Sequence, residues 1–150
     1  MTMNPYVSLT VPANAEYLDI IRLTLYGFAT KAGFSFEEIE DMKVAVAEAC
    51  NNAILHAYGE GEPGTIDIRF ENSGDGVTIS VKDHGQSFSY AGEAGRAIPP
   101  HQNEISEVSV GGLGLFLMEA LMDDVQVHAD NGSGTEIVLT KRLSRKEEMA

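Results

Sequence analysis

The chain opens on an alternation. Val7, Leu9 and Val11 are apolar and Ser8 and Thr10 between them are polar, the period of a half-buried strand. Pro12 ends it. After Asn14, a residue suited to capping, the period changes. Leu18, Ile21, Leu25 and Phe28 recur at helical spacing and predict a helix over about Ala15–Ala32, stopped by Gly33. Ser35 and Glu38 have the spacing of a capping box and predict a second helix from there to about His56. Met42, Val46, Ala49 and Ala53 form its apolar stripe. Gly59, Gly61, Pro63 and Gly64 then mark a loop.

Two more alternating runs follow, Thr65–Glu71 and Val77–Asp83. Between them Asn72-Ser73-Gly74-Asp75-Gly76 is turn chemistry, so they predict a hairpin. The segment His84–Gly111 has no period, is rich in glycine and contains Pro99-Pro100. A loop of this length inside a compact domain is usually functional or mobile. A third helix over about Leu113–Met122 leads to a last strand pair. Val125 and Val127 lie on one strand, Ile137 and Leu139 on the other, with Asn131-Gly132-Ser133-Gly134 between. The predicted order is β-α-α-β-β-loop-α-β-β, without repeats or a linker. It implies one α+β domain over 1–150, a mixed, mostly antiparallel sheet with helices packed on one face.

Composition narrows the function. A chain of 150 residues, 43% of them hydrophobic, can build one core. Asp and Glu number 23 against 10 Lys and Arg, a formal charge of −13. Such a surface repels phosphate backbones, so direct nucleic-acid binding is not expected; a partner with a basic face suits it. Cys50 is the one cysteine, which fits a reducing compartment. Met1–Leu9 lack the basic and apolar regions of a signal peptide, and no apolar stretch nears the roughly 20 residues of a spanning helix. The expected location is the cytosol, away from membranes.

Candidate chemistry gathers at three places. Glu48, Asn52 and His56 share one helix face. A carboxylate and an amide one turn apart can hold a divalent cation or orient a water or hydroxyl; the same spacing fits a solvated face. Asp83 stands where a strand breaks into Gly85, as a turn device or as acceptor for a ligand's amino group. Gly111-Gly112-Leu113-Gly114 opens a helix, either as a flexible loop end or with backbone N–H groups free to approach phosphates. Other nucleotide signatures are absent. There is no Gly-Lys-Ser/Thr, Gly112-x-Gly114 lacks a third glycine, and the four histidines have no zinc spacing.

Together the pieces are more specific. Glu48-Ala-Cys-Asn51-Asn52-Ala-Ile-Leu-His56-Ala-Tyr58 resembles the N box of the GHKL ATPase/kinase superfamily. Asp83-His84-Gly85 resembles its Asp-x-Gly box, Gly112-Leu113-Gly114-Leu115 its second glycine box, and Gly134-Thr135 its terminal box, in matching order. The resemblance covers nearly the whole chain and is closest to the anti-sigma-factor serine kinases. Ile20-Ile21-Arg22-Leu23-Thr24-Leu25, Glu38-Ile39-Glu40-Asp41 and Met118-Glu119-Ala120-Leu121-Met122-Asp123 carry that closer likeness.

The resemblance implies a Bergerat (GHKL/HATPase) fold that uses ATP and Mg²⁺. It gives Asn52 as the metal ligand, Glu48 as base toward an incoming serine hydroxyl, and Asp83 as acceptor from the adenine amino group. Thr135 supports Asp83 through water, Gly85 lets the adenine sit close, Gly112 and Gly114 cradle phosphates, and a lid spans about 84–111. It implies a protein that inhibits a stress-response-type sigma factor and phosphorylates a serine of its anti-anti-sigma antagonist, as a homodimer. Two other readings stand beside it: an ATP-binding sequestering module without phosphotransfer, and the ATPase part of a histidine kinase. Arg22 reads either as a snorkelling arginine or as a partner contact. Two departures from the pattern are Asn51, where relatives often have Thr, and Ser109-Val110, where some have a basic residue. Arg96, from the lid, is a candidate to supply that charge.

Overall fold

The computed structural model describes residues 3–57, 64–85, 113–130 and 134–143. Strand β1 (Tyr6–Pro12) leads through a 3₁₀ turn, Ala15–Tyr17, into helix α1 (Leu18–Ala32). Asn14 caps that turn, its side chain accepting from the Glu16 N–H at 3.0 Å, so the predicted helix begins as a tighter coil. Gly33, at φ 106°, closes α1 in the left-handed conformation that favours glycine. Helix α2 (Phe36–Asn52) starts at the expected capping box. Ser35 Oγ accepts from Glu38 N–H at 3.1 Å, and Glu38 Oε1 accepts from Ser35 N–H at 2.8 Å. Beyond Asn52 the coil widens into a π-helical turn, Ala53–Ala57.

Strands β2 (Thr65–Asn72) and β3 (Gly76–Asp83) form the predicted hairpin. Its turn is fixed by Asn72 Oδ1, which accepts from Gly74 N–H at 2.9 Å. Helix α3 (Leu113–Leu121) precedes β4 (Asp124–Asp130) and β5 (Gly134–Arg142). The spatial order is β1-β2-β3-β5-β4. All four pairings are antiparallel, so no parallel pair occurs among the described residues. β5 enters beside β3 and leaves β4 at the edge. The predicted lid beyond Gly85, including Arg96, Ser109 and Val110, lies outside the described residues.

One face of the sheet is dry. Ile66, Ile68 and Phe70 of β2, Val77, Ile79 and Val81 of β3, and Ile137 and Leu139 of β5 are buried against the helices. Ile21, Leu25 and Ala29 of α1 and Met42, Val46 and Ala49 of α2 supply the opposing layer. The three helices therefore lie on this face, with α2 between α1 and α3. Phe70 stacks on Phe28 with ring centroids 6.0 Å apart. Truncating such a buried ring to alanine costs about 3–5 kcal/mol. The other face carries Asp67, Arg69, Ser80, Lys82 and Glu136 and stays partly exposed.

Candidate functional site

Two clusters form where this frame places polar groups at the edge of the core. The first sits between α2 and α3. Asn52 is the last residue of α2 and is buried, 4% exposed, on the side continuous with the core stripe. Glu48, one turn earlier, is partly buried. Gly114, in the first turn of α3, faces both. A Cβ at Gly114 would lie 3.0 Å from Glu48 Oε1 and 3.5 Å from Asn52 Nδ2. The absence of a side chain there brings backbone against a carboxylate and an amide. Asn52 Nδ2 is buried and has no hydrogen-bond partner among the described residues. A buried amide left unpaired is expensive, about 1–3 kcal/mol, and in a native site points to a missing ligand.

The second cluster lies at the ends of β3 and β5. Asp83 is the last residue of β3 and is buried. Its Oδ1 accepts from Gly85 N–H at 3.1 Å and from Thr135 N–H at 3.2 Å. Among the described residues Oδ2 accepts no hydrogen bond and stands available. Burial pushes the Asp83 carboxyl above the usual carboxylate range, while the Gly85 and Thr135 N–H groups pull it back. Thr135 is buried as well, and its Oγ1 is unpartnered among the described residues. Gly134 makes the approach possible. Its φ is 107°, and a Cβ on it would stand 2.1 Å from the Asp83 carbonyl oxygen. No side chain fits there.

The structure thus brings together Glu48, Asn52 and Gly114 at one cluster and Asp83, Gly85 and Thr135 at the other. A solvated helix face does not describe Asn52. Gly112 and the side chain of His56 lie outside the described residues. Gly134 was legible only as part of a glycine-threonine pair; its role comes from the contact with Asp83. The side chains that hold this turn from the outer face, Asp67 and Thr10, carried no local sequence signal.

The comparisons with known proteins agree with this geometry. Residues 11–141 match the family model of the histidine kinase-like ATPase domain. The serine-protein kinase RsbW of Bacillus subtilis is 45% identical over 142 residues, covering 93% of this chain and 86% of that protein. The Bacillus licheniformis enzyme of the same name is 44% identical, covering 94% and 88%. The chain belongs to the RsbW serine-protein kinase family.

A solved structure of the RsbU and RsbW domains of a Mycobacterium tuberculosis protein shares the fold. Its TM-score is 0.65 at 24% identity, covering 93% of this chain and 32% of that longer one. The α+β fold expected from the sequence is thereby the one found. Membership also makes the chain an ATP-using protein kinase of the GHKL type. Among the described residues no helix is long and apolar enough to cross a membrane, and no group of three or more His, Cys, Asp or Glu gathers as a metal cluster. Mg²⁺ commonly needs only one or two protein oxygens beside phosphates and waters. Asn52 Oδ1 and Glu48 Oε1, 3.8 and 3.0 Å from the same Cβ position at Gly114, are two oxygens of the kind that demand calls for, while the orphaned Nδ2 is a donor and suits a phosphate oxygen. Arg22 is the remaining candidate. It lies on α1, its charge lowers the Cys50 thiol against the larger effect of burial, and its buried Nη1 has no partner among the described residues. That nitrogen is not snorkelling into water.

Proposed function

We propose that this RsbW-family kinase inhibits a stress-response-type sigma factor and uses ATP to phosphorylate a serine of that factor's anti-anti-sigma antagonist. The observation that carries the reading is the buried, unpartnered Asn52 amide beside Glu48 and Gly114. In this reading Asp83 Oδ2 accepts from the adenine amino group, and Gly85 leaves room for the ring. Thr135 Oγ1, buried and unpartnered, takes an ordered water there. Gly112 and Gly114 offer backbone N–H groups to phosphates at the start of α3, where the helix dipole favours an anion. Asn52 would hold Mg²⁺, which neutralises phosphate charge when bound. Glu48 accepts the proton of the incoming serine hydroxyl. The serine oxygen bonds to the terminal phosphorus, the bridging P–O bond breaks and ADP leaves.

Partner contacts follow the same reading. α1 exposes Ile20, Leu23 and Tyr26, with Leu23 70% exposed. An apolar stripe of this kind suits a homodimer interface, and the partly buried Arg22 lies between Ile20 and Leu23 on the same helix. The test is incubation with γ-labelled ATP, Mg²⁺ and an extract of the source cells. One small labelled protein, lost when Asp83→Asn weakens ATP binding about 10- to 100-fold, is expected. Tight ATP binding without label on any protein would favour the sequestering module instead.

A further inference from the structure

Pairing between β2 and β3 ends at Ile66 opposite Asp83. His84 is the next residue and stands between Asp83 and Gly85. Side chains alternate along β3, so Asp83 is turned to the helices and buried while His84 is exposed. From there His84 reaches across to β2, its Nε2 lying 2.7 Å from Asp67 Oδ2. The other oxygen of Asp67 accepts from Thr10 Oγ1 at 2.6 Å. Thr10 sits directly opposite Asp67 in the β1–β2 register. The hydrogen bonds from Thr10 and then His84 hold the Asp67 carboxyl below the usual carboxylate range. Asp67 is therefore an anion at neutral pH, and the His84 nitrogen facing it carries the proton. On the other side the Gly134 backbone presses on the same turn, with a Cβ there only 3.0 Å from His84 Cα. The turn is clamped from β5 on one side and from β1 and β2 on the other.

We propose that Asp67 is a positioning residue for nucleotide binding: seated by Thr10, it holds His84 and so fixes the turn that presents Asp83 and Gly85 to the adenine. The proposal rests on the ATP reading above. A turn just past the last paired residue of a strand has rotational freedom that ligand binding would have to remove. A side-chain tether removes it beforehand, which raises affinity without adding a contact to the ligand. The reacting atoms lie at the Glu48 cluster, so the tether acts on KM for ATP and not on kcat.

The experiment measures ATP affinity by calorimetry, kcat and KM for phosphate transfer, and melting temperature. The variants are Asp67→Ala, Thr10→Val, His84→Leu and His84→Gln, with Asp83→Asn beside them. Asp67→Ala and His84→Leu each weaken ATP binding about 3- to 10-fold and Thr10→Val about 2- to 3-fold, while kcat at saturating ATP stays within about twofold. His84→Gln, whose amide still donates to Asp67, recovers most of the affinity. The double variant Asp67→Ala/His84→Leu binds no more weakly than the worse single one, because the two act through one contact. The proposal is overturned if Asp67→Ala and His84→Leu bind ATP as the wild type does while Asp83→Asn loses affinity. It is equally overturned if His84→Gln is no better than His84→Leu. If Asp83→Asn itself binds normally, the adenine reading falls first and takes the tether with it.

Discussion

The two clusters of the site are finished to different degrees. At the Asp83 end the backbone has already done the positioning. Gly85 and Thr135 N–H groups fix one carboxylate oxygen, Gly134 is packed against the carbonyl, and Asp67 ties the turn from behind. At the Glu48 end little is fixed. Among the described residues Asn52 Nδ2 has no partner, and Gly114 offers backbone and space where a side chain would offer a contact. In the proposed reading the sheet end receives a rigid aromatic base, for which preorganisation is rewarded. In the same reading the helix end receives charge, and phosphates complete its polar groups.

This contrast can be broken by substitution. The largest effect belongs to the helix end. Glu48→Gln keeps shape and ATP affinity and lowers phosphate transfer by roughly 10²–10⁴, read by label transfer to the protein substrate beside calorimetry with ATP. Near-normal transfer would remove Glu48 as the base. Next comes Gly134→Ala. The strained φ and the overlap with the Asp83 carbonyl together lower stability by about 2–5 kcal/mol in urea unfolding, and ATP binding falls with it. Asn52→Leu should separate function from stability. It removes an orphaned amide, so the ligand-free protein gains about 1 kcal/mol while Mg-ATP affinity drops at least about tenfold. Gly114→Ala is milder. The atom it meets is the flexible end of Glu48, so kcat falls about 3- to 10-fold with the melting point nearly unchanged.

The smallest effect is a pH dependence at the sheet end. Burial raises the Asp83 carboxyl above its ordinary 3.8 in the folded chain. The folded state then holds its proton more tightly than the unfolded one. Asp83 favours folding below 3.8, and that contribution disappears as pH rises through the raised folded value. Asp83→Asn should therefore be more stable than the wild type at pH 7 and lose that advantage as pH falls toward the acid limb. Urea midpoints at the two pH values read it.

Much of this was legible beforehand, for local reasons. The alternation in β2 and β3, the Ser35–Glu38 capping box and the Asn72–Gly76 turn are short-range physics, and the structure shows each. Asp83 was visible because a carboxylate interrupts an apolar strand. The order β1-β2-β3-β5-β4 was not, since nothing local says that β5 inserts beside β3. Nor was the grip on the Asp83 turn. Thr10, Asp67 and His84 lie far apart in sequence and meet only through strand register. Gly134 looked like ordinary turn chemistry until its distance to Asp83 gave it a reason. At the start of α1 the 3₁₀ turn replaced a plain helix because the Asn14 cap bonds two residues on.

Cys50 has a practical consequence. It is wholly buried, and burial pushes its thiol up to about 12 despite Arg22 nearby. At pH 7 only about one molecule in 10⁵ would carry the reactive thiolate, and that one sits behind packed side chains. Reagents that alkylate thiols will pass over the native chain. A cysteine engineered at any surface position can be labelled alone, with a fluorophore or a spin probe, in an otherwise natural background. Slow modification of Cys50 itself then becomes a clock for the opening of the core around it.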